Sequence, residues 1–299
     1  MALPHRAEAP SAPALPEIEV KREFAFSDAD FRKLAELAYR HTGISLSASK
    51  RDLVYNRLSR RLRALRLTTF RDYHEYLEGP QGHQETERFI NSVSTNHTRF
   101  FRESHHFIHF RTHVAARFAH ANHGPGGGRL RVWSAGCSTG EEPYTIAVVL
   151  KKEIAAIARY DVRILATDID TEVLAKGERG EYAASALQEI PPEYRNFFEA
   201  KPRTGGGETI VVDDAVRSLI AFRQLNLIVP QWPMKGPFDA IFCRNVMIYF
   251  DNATKKNLVE RLTNLVRPGG WLYIGHSESL LGAHPGLELV GRTIYRREP

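Results

Sequence analysis

The chain has 299 residues, 42% of them hydrophobic and 25% charged, the composition of an ordinary globular protein long enough for two domains. No apolar run approaches the roughly 20 residues that span a bilayer, and the N-terminus lacks the apolar segment of a secretory signal, so a cytoplasmic location is expected. The formal net charge of +6 and the pI near 9.3 leave nucleic acid, an anionic membrane or an acidic protein as partners. Residues 1–20 are rich in Ala and Pro and read as a disordered tail. From 21 to 95 the pattern is helical. Ser27 offers a cap, Phe31, Leu34, Leu37 and Ala38 recur at helical spacing, and further helices are expected over about 50–66, 69–78 and 83–95. Residues 96–128 carry a polar–aromatic segment, a single long helix from about Ser104 to His120 and a glycine-rich break at Asn122–Gly128.

From 129 to 299 strands and helices alternate, which predicts a largely parallel sheet covered on both faces. Strands are expected at 130–135, 162–167, 219–224, 238–243 and 270–275, with an antiparallel edge hairpin within 287–295. One stretch, about 182–221, breaks the alternation: Gly205-Gly-Gly-Glu-Thr-Ile-Val-Val reads as a turn entering a β-branched strand, hence a small inserted β-unit. Cys137 and Cys243, the only cysteines, fall at expected strand ends and read as small apolar residues in a reducing compartment.

The most informative stretch is Arg131-Val-Trp-Ser-Ala-Gly-Cys-Ser-Thr-Gly-Glu-Glu-Pro-Tyr144, an apolar strand, a small-residue turn and an acidic helix start. Arg163-Ile-Leu-Ala-Thr-Asp-Ile-Asp170 is a second strand ending on acids. In such a βαβ unit the ligand sits beyond the carboxyl ends of the strands. Gly136 and Gly140 do not form a dinucleotide fingerprint, and Glu141-Glu142 would repel a pyrophosphate at the helix start. A nucleoside without phosphates and with positive charge fits better, and S-adenosylmethionine has that chemistry. Asp168 is placed to meet ribose hydroxyls. His105 and His106 read as ordinary helix residues; no zinc spacing is present, and no metal is expected.

Three more segments join these: Thr95-Asn-His-Thr-Arg-Phe-Phe-Arg102, Asn226-Leu227, and Phe238-Asp-Ala-Ile-Phe-Cys-Arg-Asn-Val-Met-Ile-Tyr-Phe-Asp251. In this order the set resembles the chemotaxis receptor methyltransferases, the CheR family, over some nine-tenths of the chain. The resemblance implies a Rossmann-like α/β methyltransferase sheet with an N-terminal all-helical domain and a small inserted antiparallel β-subdomain. It also implies methyl transfer from S-adenosylmethionine to glutamate side chains of bacterial chemoreceptors, with S-adenosylhomocysteine as product. By resemblance Asn96, Thr98, Arg102, Glu142, Asp168, Asn226, Leu227, Asn245 and Val246 contact the cofactor beside the Gly136 turn. Asn226 would face the adenine end, Asn245 would lie near the methionine end, and Arg102 and Tyr249 would form the catalytic pair. Arg102 pairing instead with Glu103, and Asn226 serving only as a turn residue, remain the simpler structural alternatives.

Lys50–Arg66 reads as an amphipathic helix. Val54, Leu58, Leu62 and Leu65 share its apolar face, and Arg57, Arg60 and Arg63 form a stripe on the other. Such a stripe suits an acidic helix, here the cytoplasmic helical region of a receptor. Without interleaved aromatics it gives no stacking platform for nucleic acid. Some family members grip a receptor C-terminal peptide by strand addition to the β-subdomain, and the unit at 182–221 is a candidate. The expectation is a cytoplasmic monomer recruited to membrane receptor arrays without inserting into the bilayer. Two alternatives stand beside this reading: a nucleic-acid methyltransferase, which would want an aromatic, proline-rich pocket near the fourth strand, and a non-catalytic module that senses S-adenosylmethionine.

Overall fold

The computed structural model describes residues 22–121, 123, 128–202, 206–278, 280 and 285–299. The expected tail, most of the glycine-rich break and Gly205 lie outside them. The N-terminal part is four helices, α1 (Asp28–Thr42), α2 (Arg51–Leu65), α3 (Phe70–Glu78) and α4 (Gly82–Val93). α1 begins in a capping box: Ser27 Oγ accepts from Asp30 N, and the Asp30 carboxylate accepts from Ser27 N. It ends at Gly43, whose φ of 72° brings the backbone against Ile228, 2.7 Å from where a Cβ would stand. The helices bury Leu34, Leu58, Leu62, Phe70 and Phe89 in one core. Beneath it Glu85 accepts both Nε and Nη2 of Arg61 at 2.8 Å, and the Tyr73 hydroxyl at 3.0 Å.

The chain then makes α5 (Ser104–Phe110), a wide π-turn over Arg111–Ala115, and α6 (Ala116–His120). The segment is helical without a break from Ser104 to His120, as expected, with an extra residue in its middle turn. There His109 and His113 stack at 4.0 Å, and both present to the edge of Trp271.

The second part is a seven-stranded sheet. β1 (Arg129–Ala135), β2 (Asp161–Asp168), β6 (Ile220–Gln224), β7 (Phe238–Cys243) and β8 (Val266–Ile274) run parallel in the order β6-β2-β1-β7-β8. The edge is the antiparallel hairpin β9 (Leu287–Gly291) and β10 (Ile294–Arg297). α7 (Glu141–Glu153) and the α5–α6 segment cover the face that carries Val132, Ile164 and Phe242. α10 (Asn252–Leu265) covers the other, with Trp133, Ile241 and Leu272. This alternation of faces is the period-two pattern of the strands. α8 (Thr171–Arg179) follows β2. The inserted unit is β3 (Glu181–Ala183), β4 (Phe198–Pro202) and β5 (Glu208–Val212), an antiparallel sheet in the order β3-β5-β4, followed by α9 (Asp214–Arg217). Among the described residues no helix is long and apolar enough to cross a membrane.

The expected arginine stripe is corrected by the fold. Val54, Leu58 and Leu62 are buried as expected, and Leu65 is half-buried. Arg57, however, turns into the protein: its Nη1 donates to the carbonyl oxygens of Ser92, Val93 and Ser94, the last at 2.6 Å. Carbonyls at a helix C-terminus lack intrahelical partners and carry the negative end of the helix dipole, so a guanidinium there caps α4. Arg63 is engaged by Glu23 at 2.5 Å, and Arg60 is exposed. Three-residue spacing put the arginines on one flank, but the neighbouring helix claims one of them. Arg57→Ala should therefore lower stability by about 1.5 kcal/mol, the scale of a hydrogen bond from a charged donor. Arg60→Ala should leave the denaturation midpoint unchanged; equal midpoints for the two variants would show that the cap contributes nothing.

Candidate active site

The carboxyl ends of β1, β2, β6 and β7 open into a cleft of about 920 Å³ counted out to its mouth. Every residue expected at the cofactor or the reaction lines it: Asn96, Thr98, Arg102, Gly136, Glu142, Asp168, Asn226, Leu227, Asn245, Val246 and Tyr249. Thr42, the last residue of α1, and Ile44, two residues beyond it, complete the wall from the helical domain.

The floor is the turn between β1 and α7. Gly136 N and Cys137 N both donate to Thr167 O, which ties the turn to the tip of β2. Gly136 has φ 78°, and a Cβ there would stand 2.3 Å from Val246 Cγ2. Only glycine lets the β7 loop come this close. Asp168 is buried at the end of β2, where Oδ2 accepts from Ser138 N at 2.8 Å and Oδ1 from Asp170 N at 3.1 Å. Its carboxylate thus shapes the turn through backbone donors, and a ribose would use its remaining lone pairs. Burial raises its pKa, against the pull of those N–H groups. Asp170 caps α8 through Glu172 N and Val173 N, and also accepts from Asn96 Nδ2 at 2.6 Å. Ser138 Oγ donates to Asn96 O, so the polar segment before α5 is pinned to the floor at both ends of Asn96.

Asn226 lines the cleft while its side chain donates to His41 O at 2.7 Å and accepts from Ile228 N. The turn-residue alternative thus describes its side chain, which also bridges to the end of α1. Arg102 does not pair with Glu103. Its Nη1 donates to His97 O at 2.8 Å, curling the segment back on itself. Phe101 and Glu103 on either side have φ of 52° and 57°, uncommon for side-chain-bearing residues.

What holds that loop is Arg244, the residue after β7. Its side chain is 2% exposed. It meets Glu142 Oε2 at 3.0 Å and Glu103 Oε2 at 3.3 Å, donates to the carbonyl of Arg102, and lies over the Phe107 ring. Glu142 also accepts from Ser134 Oγ at 2.7 Å. Burial pushes the Glu142 pKa up, with Arg244 opposing it. For Glu103 burial acts in the same direction, but Arg244 and the His276 N–H outweigh it and the pKa is lowered. Sequence reasoning gave Arg244 no role. Its signal was a cation placed directly after the apolar run Ala240-Ile-Phe-Cys243, where only a partnered charge is tolerated. His106 lies in α5, fully buried and bonded to Thr293 Oγ1 at 3.0 Å.

Family models match both parts of the chain: the CheR methyltransferase all-alpha domain over residues 29–94, and the CheR methyltransferase SAM binding domain over residues 96–295. A chemotaxis protein methyltransferase 2 of Pseudomonas aeruginosa is 44% identical, across 92% of this chain and 95% of its own length. A probable chemotaxis protein methyltransferase of Rhizobium etli is 43% identical across 87% and 96%, and the chemotaxis protein methyltransferase of Escherichia coli is 42% identical across 93% and 94%. A cleft at the strand ends, an acidic floor and a helical domain closing one wall therefore coincide with a match over nearly the full chain, and the protein belongs to the CheR methyltransferase family.

Proposed function

We propose that the chain methylates glutamate side-chain carboxylates of chemoreceptors, with S-adenosylmethionine as methyl donor. The observation that carries this reading is the cleft itself, with the acids Glu142 and Asp168 along its floor and Arg102 and Tyr249 in its wall. The glycine at 136 leaves open the space a side chain would fill, and the acids suit a ligand bearing a sulfonium and an ammonium. When bound, S-adenosylmethionine supplies an electrophilic methyl group.

The acceptor needs little activation. A glutamate carboxylate has a reference pKa near 4.3, so it is ionised at neutral pH. One of its oxygen lone pairs forms the new O–CH₃ bond, and the electrons of the S–CH₃ bond return to sulfur. The protein's work is alignment and exclusion of water, which is worth roughly 7–11 kcal/mol. Among the described residues Arg102 donates through Nη1 to His97 O, and its remaining N–H donors are suited to a carboxylate fork. Tyr249 is half-buried in the same wall and is suited to orient that oxygen. Conversion of the anion to a neutral ester weakens the arginine contact and favours release.

For the receptor, we retain the exposed part of α2, Arg60 with Arg63 beside it, as a surface for an acidic helix, and withdraw Arg57. β4, one of the two edge strands of the inserted sheet among the described residues, is suited to strand addition by a receptor peptide.

Incubation with radiolabelled S-adenosylmethionine and receptor membranes should give base-labile label on the receptor; base-stable label would rule out the ester. Arg102→Ala should cut turnover at saturating cofactor by about 10²-fold, the scale of losing one positioned charged donor. Wild-type turnover in a folded variant would remove Arg102 from the chemistry.

Acidity should distinguish substrate from product. Glu142 and Asp168 have pKa values raised by burial, so they begin to take up protons at higher pH than ordinary carboxylates. A bound cation favours their ionised forms, and the protons must leave on binding. S-adenosylmethionine affinity should therefore fall on acidification through those raised values. Affinity for S-adenosylhomocysteine, which lacks the sulfonium charge, should fall less. Calorimetry across pH in buffers of different ionisation enthalpy reads both, and parallel curves for the two ligands would contradict the electrostatic account.

A further inference from the structure

Past the end of β8 the chain runs Gly275-His-Ser-Glu278 and folds back beneath the loop that follows β7. Glu278 is 5% exposed and does not line the cleft. No ion pair reaches its carboxylate among the described residues. It is instead wrapped in backbone donors: Oε2 accepts from Asn245 N and Gly275 N, both at 2.7 Å, and Oε1 accepts from Ile248 N at 3.1 Å. A buried charge is costly unless it is hydrogen-bonded, and among the described residues its hydrogen bonds come from backbone N–H groups.

Two of those donors, Asn245 N and Ile248 N, belong to the loop that forms one wall of the cleft. Asn245 and Val246 line it, Val246 rests on Gly136, and Tyr249 follows directly. Asn245 has φ 59°, a left-handed conformation that surrounding contacts must hold in place. The carbonyl of Tyr249 is fixed from the other side by Ser45 N at 2.8 Å. The loop is therefore clamped between the helical domain and one carboxylate.

We propose that Glu278 is a positioning residue for methyl transfer: its buried carboxylate gathers the N–H groups of Asn245, Ile248 and Gly275 and so sets the wall that carries Asn245, Val246 and Tyr249. The inference rests on the reading that this cleft takes S-adenosylmethionine. A glutamine of the same size cannot replace it, because an amide offers one acceptor oxygen and turns its own N–H₂ toward a backbone donor. Gly275 provides an independent handle. A Cβ at this position would stand 2.5 Å from Glu278 Oε2 and 2.6 Å from both Asn245 N and Nδ2, so Gly275→Ala wedges the carboxylate away from Asn245 without removing it.

The test compares the full-length wild-type protein with Glu278→Gln and Gly275→Ala, at a temperature well below each melting transition and with folding checked by near-ultraviolet dichroism. Calorimetric affinity for S-adenosylhomocysteine should fall at least tenfold in both variants, and turnover at saturating cofactor should fall as well. A residue that merely braces the C-terminal segment would lower the melting temperature and leave both quantities at wild-type values, and that result overturns the proposal. Absence of binding by the wild-type protein would instead overturn the cofactor reading on which the inference rests. Amide exchange in the wild-type protein decides the matter should neither variant fold: slow exchange at Asn245 and Ile248 without ligand supports the clamp, and fast exchange overturns it.

Discussion

The cleft depends on one buried guanidinium. Arg244 stands at the tip of β7 between Glu103, from the segment before α5, and Glu142, from the first turn of α7, and it also holds the carbonyl of Arg102. Three stretches of chain far apart in sequence are thereby drawn to one charge. Two acids around one cation leave net negative charge inside the protein, which is unfavourable in isolation. The Ser134 hydroxyl, the His276 N–H and the face of Phe107 share the load. Such a network is a weak source of stability, and its value lies in geometry. It fixes the direction in which Arg102 leaves the backbone.

The same economy is visible on the floor. Asp168 and Asp170 spend much of their hydrogen-bonding capacity on backbone N–H groups of the Ser138 turn and the start of α8. These carboxylates organise the backbone at the edge of the cleft, which Asp168 also lines. Their burial also lifts their proton affinity.

Much of this was legible in the sequence because it is periodic or local. The parallel strands announce themselves as short apolar runs, and the Gly136 turn, Asp168 and Arg102 sit in compact motifs. What stayed hidden depends on contacts between distant segments. Nothing local distinguishes Arg57, which caps a neighbouring helix, from Arg60, which faces solvent three residues later. Glu278 reads as one acid in a polar stretch, and its burial becomes apparent only when β7 and β8 lie side by side. In the π-turn of Arg111–Ala115 His113 meets Trp271, some 160 residues downstream, and no helix rule applied to the segment alone would place that contact.

The end of α1 carries a further implication. Gly43 packs against Ile228, Asn226 reaches His41 O, Ser45 N holds the carbonyl of Tyr249, Tyr39 donates to Asp251, and Thr42 and Ile44 face the cleft. The four-helix unit is thus a wall of the reaction chamber as well as a platform. A methyltransferase sheet expressed without it would lack one side of its own site, and grafting the helices of a distant homologue would import foreign contacts at each of these points. The two halves are therefore expected to change in concert over evolutionary time, with compensating substitutions concentrated along this seam.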